Sequence, residues 1–221
     1  MPREEFDRRL QALEHTVLEM GAMVDRQIER SLQSLVERDT PLAEAVVRDD
    51  VEVNRARFRI DNECLSVLAQ EAPLARDLRV VVSLMAIAAE LERMGDHAEG
   101  NAAIVLLMQD EPFVKPLVDI PKMAQISREM LRESLEAFTE RDVEKAFAVG
   151  RRDDAVDELQ DIVYHDLVKI MIKDPSTVEP CTHLLWVAHN MERIADRATN
   201  IAERVVFTVT GAMPEMQVSN Y

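Results

Sequence analysis

Glu92-Arg93-Met94-Gly95-Asp96 returns one hundred residues later as Glu192-Arg193-Ile194-Ala195-Asp196, so the chain is built from two copies of one design. A spacing of i, i+4 sets both acids of each motif on one face of a helix, with Cβ atoms about 5–6 Å apart. Bare like charges held that way destabilise a helix by roughly 0.2–0.5 kcal/mol. A penalty repeated at the same place in each half implies a cation that offsets it twice.

The repeat extends outward from these motifs. At an offset of 103, Ser31-Leu32 corresponds to Ser134-Leu135, and Glu37-Arg38-Asp39 to Glu140-Arg141-Asp142. Asp50, Val53 and Asn54 fall on Asp153, Val156 and Asp157 in the same frame. From Leu84 the offset is 100, pairing Leu84 with Leu184, Ala88 with Ala188 and Ala98 with Ala198. The second copy therefore has a connection three residues shorter.

Within a copy, apolar residues recur at helical spacing, as in Leu10, Leu13, Val17, Met20 and Val24, or Leu84, Ile87 and Leu91. Only five glycines occur, and neither Asn-Gly nor Asp-Gly marks a hairpin turn. Thr40-Pro41 reads as a cap with a first-turn proline, and Glu71-Ala72-Pro73 as the next break. The second copy breaks near Asp142 and across Asp174-Pro175 to Pro180. The expected fold is all-α, with two tandem antiparallel three-helix bundles related by an internal repeat. Residues 1–110 form the first repeat, the Pro-rich 111–121 a joint, 122–210 the second repeat and 211–221 a loose tail.

Helices two and three of each copy must run antiparallel around a short turn, which fixes their levels. Asn54 with Glu92, and Asp50 with Asp96, both centre on Pro73 in the predicted turn. Asp157 with Glu192, and Asp153 with Asp196, both centre between Asp174 and Pro175. Four oxygen-bearing side chains per copy thus stand level, about 28 Å from the turn at about 1.5 Å of rise per residue. Rotation about the helix axes is left open by this arithmetic.

Small residues, Ala88 and Gly95 beside Glu92 and Ala188 and Ala195 beside Glu192, leave room for a bound ion or another backbone. The competing reading is a salt-bridge network in which Arg48, Arg55, Arg93 and Arg193 supply the opposing charge; the duplicated geometry favours metal. Hard oxygen donors suit magnesium, calcium, manganese or ferric iron, and zinc accepts carboxylates although it prefers nitrogen and sulfur. His97 and His189 are not repeated between copies and read as network residues rather than ligands. None of the histidines has a glutamate three residues before it, which removes the di-iron bundle signature.

The stretch from Gln70 to Arg79, followed by Glu90-Leu91-Glu92-Arg93-Met94-Gly95-Asp96-His97-Ala98, closely resembles the PhoU family of phosphate-signalling regulators. Asn190-Met191-Glu192-Arg193-Ile194-Ala195-Asp196-Arg197-Ala198 is similar to that family's second repeat. The resemblance runs from Phe6 to Thr210. It implies metal sites on Asp50, Glu92 and Asp96 in the first copy and on Asp153, Asp157, Glu192 and Asp196 in the second. Asn54 departs from the pattern, standing where the second copy has Asp157, so the first site is expected to be the weaker. The resemblance also implies a regulator of phosphate uptake and phosphate-starvation signalling, which couples the ATPase subunit of a phosphate ABC transporter to a membrane sensor histidine kinase. Iron, zinc, manganese or magnesium are the metals in view.

Composition fits this setting. A net charge of −16 disfavours direct contact with nucleic acid or anionic lipid. Val80 to Ala89, the longest strongly apolar stretch, is too short to span a bilayer. An amphipathic helix opens the chain, and Cys64 and Cys181 stand at non-equivalent positions, as expected of a cytoplasmic protein. Phosphate-loop, dinucleotide and nucleophile-elbow motifs are all missing, so no enzyme is expected. A metal-dependent hydrolase or oxidase on a helical scaffold is the alternative. Long amphipathic helices further lead to the expectation of a homodimer.

Overall fold

The computed structural model describes residues 2–108 and 112–216. The junction residues 109–111 and the tail beyond Met216, on which parts of the expected boundaries fall, lie outside the described residues. Helices α1 (Pro2–Glu37), α2 (Thr40–Glu71) and α3 (Arg76–Leu107) make the first repeat. In the second, α4 (Asp119–Glu140) is followed by α5 (Val143–Gly150), α6 (Asp153–Lys173), a 3-10 turn at Pro175–Thr177 and α7 (Val178–Thr210). No strand is present among the described residues. Helix α4 begins inside the expected joint.

The second repeat departs from the expected three helices in one place. Its second helix is broken at Arg151-Arg152, after Gly150 stands where the first copy has Val47. Arg152 is held there by Glu133 at 2.6 Å and by Glu129. Asp153 consequently lies in the first turn of a new helix, where unpaired N–H groups and the helix dipole favour an anion.

The first inter-helix turn is built twice from the same residues. Arg38 and Arg141 both take left-handed φ values of 57°, and Asp39 N–H and Asp142 N–H reach back to Ser34 and Ala137 carbonyls at 2.9 and 3.0 Å. This is a Schellman ending without the usual glycine. Each aspartate then caps the next helix, Asp39 accepting from Leu42 N at 2.9 Å and Asp142 from Lys145 N at 3.0 Å. The cap is therefore Asp39 rather than Thr40, with Pro41 inside the first turn.

The repeated apolar positions pack as their spacing requires. Leu13, Val17, Met20, Val24 and Ile28 are buried along α1, and Val53 with Val156, Leu84 with Leu184 and Ala88 with Ala188 are buried in both halves. Buried Ser31 and Ser134 satisfy their hydroxyls identically, on the Ile28 and Leu131 carbonyls.

The halves join along an antiparallel seam between α3 and α7. Ser83 meets Thr208 at 2.8 Å, Glu90 meets Asn200 at 3.1 Å and Arg197 at 3.4 Å, and His97 meets Asn190 at 3.4 Å. Partner numbers fall along α7 as they rise along α3. The contacts centre on residues equivalent by repeat, between 93 and 96 and between 193 and 196, which makes the seam pseudo-twofold. No described helix is long and apolar enough to cross a membrane.

Candidate functional site

Helix rotation, open in the sequence, brings Asp50 of α2 close enough to Asp96 of α3, and Asp157 of α6 close enough to Glu192 and Asp196 of α7, for their charges to repel. In the first repeat, a Cβ placed on Gly95 would lie 3.3 Å from Asp50 Oδ1 and 3.2 Å from Val53 Cγ1. The missing side chain of Gly95 is thus what lets α2 approach α3 here. Asn54 Nδ2 donates to Asp50 Oδ2 at 2.7 Å, one turn along α2. Arg57, a further turn on, donates to Glu92 Oε1 at 2.9 Å.

A third helix enters this site. Gln27 of α1 is 5% exposed, and its Nε2 donates to Asp50 Oδ1 at 2.9 Å. Its Oε1 is buried with no hydrogen-bond partner and lies 3.2 Å from the same Gly95 Cβ position. Sequence reasoning missed Gln27 and Arg57 because their repeat positions hold Met130 and Gln160. The available signal was a polar residue inside the apolar stripe of α1.

In the second repeat Asp153, Glu192 and Asp196 are buried, and Asp157 is exposed at the rim. Arg193 spans its own motif, with Nε 2.7 Å from Glu192 Oε2 and Nη2 2.9 Å from Asp196 Oδ2. His189 Nδ1 lies 3.5 Å from Glu192. Of the four arginines named from sequence as counter-charges, only Arg193 is recorded on the acids of these motifs. Arg93 pairs with Glu90 at 3.5 Å, Arg55 with Glu52 at 2.5 Å and Arg48 with Asp49 at 3.7 Å.

Crowding of like charge is visible in both sites. Desolvation, then the charges of Glu92, Asp50 and Glu99, pushes the Asp96 carboxyl up to about 6. Desolvation and Glu192 push Asp196 up to about 6, against Arg193 and Arg197. Asp157, although exposed at the rim, is raised by partial desolvation and by Glu192, and Glu99 by partial desolvation and by Asp50. His97 is lowered, chiefly by burial, and serves the seam through Asn190.

Among the described residues no three Asp, Glu, His or Cys side chains close on one point as a finished ligand shell. The donors nevertheless fit a hard cation in kind. They are oxygens, their charges oppose one another, and the first site adds an orphaned amide oxygen beside the gap at Gly95. A cation there would take the place of Arg57 on Glu92, and in the second site that of Arg193.

An all-helical duplicated scaffold with one acid cluster per half, presented between its second and third helices, defines the class to which this chain conforms. A family model described as the PhoU domain matches residues 17–105 and again 120–205. The chain belongs to the PhoU family. It is 34% identical over 211 residues to a phosphate-specific transport system accessory protein PhoU homolog of Rhizobium meliloti (strain 1021), covering 95% of this chain and 89% of that one. A PhoU homolog 2 of Thermotoga maritima is 37% identical over 195 residues, with 88% and 83% covered. The crystal structure of PhoU from Pseudomonas aeruginosa superposes with a TM-score of 0.90 at 30% identity, covering 94% of this chain and all of the other.

Proposed function

We propose that this protein is a non-enzymatic cytoplasmic regulator of phosphate uptake and phosphate-starvation signalling, and that it binds cations on its two acidic sites. The single observation behind the cation reading is the duplicated meeting of acids across α2–α3 and α6–α7, which leaves Asp96 and Asp196 both raised to about 6. The regulatory reading is supported by relatives named as phosphate-specific transport system accessory proteins and by the structure of the phosphate transport system regulatory protein PhoU from Streptococcus pneumoniae, 30% identical with a TM-score of 0.89. In this reading the partners are the ATPase subunit of a phosphate ABC transporter and a membrane sensor histidine kinase, and the chain acts as a homodimer.

Iron, zinc, manganese or magnesium would be held by Asp50, Asn54, Glu92 and Asp96 in the first site and by Asp153, Asp157, Glu192 and Asp196 in the second. When bound, the ion would neutralise the opposed carboxylate charges between α2 and α3 and between α6 and α7. Two hollows of about 390 and 680 Å³ lie against α1, lined by residues such as Leu18 and Leu135 or Arg9 and Ile60, away from the acids. Neither hollow is a substrate pocket beside the acids.

Deletion of the gene tests the regulatory role: phosphate-starvation genes should rise in cells grown with ample phosphate. Unchanged expression would place the protein in a different circuit. Light scattering at micromolar concentration tests the dimer, and a monomer mass would remove it.

A further inference from the structure

We infer that Gln27 of α1 is a ligand-bearing member of the first site, supplying a neutral amide oxygen to a divalent, oxygen-seeking cation that also contacts Asp50. The inference rests on the cation reading proposed above and extends it to a helix outside the acidic motifs. Its ground is an unmatched atom. An ionised carboxylate only accepts hydrogen bonds, so the Gln27 atom 2.9 Å from Asp50 Oδ1 is the NH₂ group, and the amide oxygen is the one left over. That oxygen is buried and unpartnered. Leaving a buried acceptor without a partner is unfavourable, and a side chain with Met130 as its counterpart has no packing need to be polar.

The geometry places the oxygen beside Asp50, at the close approach of α2 and α3. Gln27 Oε1 and Asp50 Oδ1 lie 3.2 and 3.3 Å from the one point where Gly95 lacks a Cβ. Asn54 holds the other Asp50 oxygen at 2.7 Å, so Asp50 is oriented from both sides by amides. Two neutral amides in place of one carboxylate give the first site less negative charge than the four acids of the second. A divalent ion suits the first, and the second carries enough charge for a trivalent one.

The test is a Mn²⁺ titration of the full chain, followed by the paramagnetic resonance of free Mn²⁺, in a Glu192→Gln/Asp196→Asn background that silences the second site. Gln27→Met, which installs the residue found at position 130, should weaken binding about tenfold or more. Gln27→Glu keeps the shape, adds a charged oxygen and should tighten binding. Circular-dichroism melts in chelator establish that each variant is folded, and if Gln27→Met is not, the Glu variant decides alone. Unchanged affinity in Gln27→Met, or weakening by Gln27→Glu, overturns the role of Gln27 while leaving cation binding in place. Failure of the unmutated chain to bind Mn²⁺ overturns both.

Discussion

Arg57 donates to Glu92 across the α2–α3 interface at 2.9 Å, so the first site already contains a cation of its own. A metal ion must compete with it. Arg57→Gln should therefore raise the affinity of the first site for Mn²⁺ in a direct titration. The pair is partly exposed, with 32% and 17% of the side chains accessible, so its loss should cost no more than about 1 kcal/mol in chemical unfolding. Weaker Mn²⁺ binding in Arg57→Gln would show that the arginine orders the site instead of guarding it.

The asymmetry between halves predicts an order of filling. Four carboxylates face three and an amide, and affinity for hard cations rises with ligand charge. Replacing Glu192 and Asp196 by alanine should remove the tighter class of metal, and Asn54→Asp should strengthen the weaker. Metal content of the three proteins, measured side by side, decides; identical content would eliminate metal binding at these motifs.

Both raised aspartates carry a pH signature in metal-free protein. Asp96 and Asp196 go from an ordinary 3.8 to about 6, so the folded state binds the extra proton more readily than the unfolded state. Their stabilising contribution is complete below about 3.8 and disappears as pH rises through about 6. Asp25 runs the other way, since Arg128 and Arg132 outweigh its burial and hold it low, but its loss falls below the ordinary 3.8. In chelator, the melting temperature should be higher at pH 5 than at pH 7.5. Asp196→Asn should flatten that slope, and an unaltered slope would assign it elsewhere.

The repeated turn offers a test of the fold itself. Asp39→Ala and Asp142→Ala each remove a side-chain cap and should cost about 1 kcal/mol. Urea unfolding of the two single variants and the double variant should give additive losses, because the caps sit in separate halves.

The sequence made the repeat, the helical class and the level of the acids readable, because each depends on spacing along the chain. Facing of Asp50 toward Gly95 depends on helix rotation, which spacing alone leaves open. Gln27 and Arg57 escaped because comparison of the copies finds only what both copies keep. The interruption before Asp153 had a local signal in Gly150, yet the uninterrupted α2 argued against it. Thr40 reads as a cap because it precedes Pro41; the left-handed turn at Arg38 moves the capping position to Asp39.

The pseudo-twofold seam from Ser83–Thr208 to His97–Asn190 is the interface that a homodimer of a single repeat would use. In such a dimer one gene would specify both sites, and a change at one would always be a change at the other. Duplication within one chain removes that constraint. Gln27 can stand opposite Met130, and Asn54 opposite Asp157, with the seam between them unaltered. On the proposed cation reading, one molecule then has two response thresholds instead of one threshold counted twice.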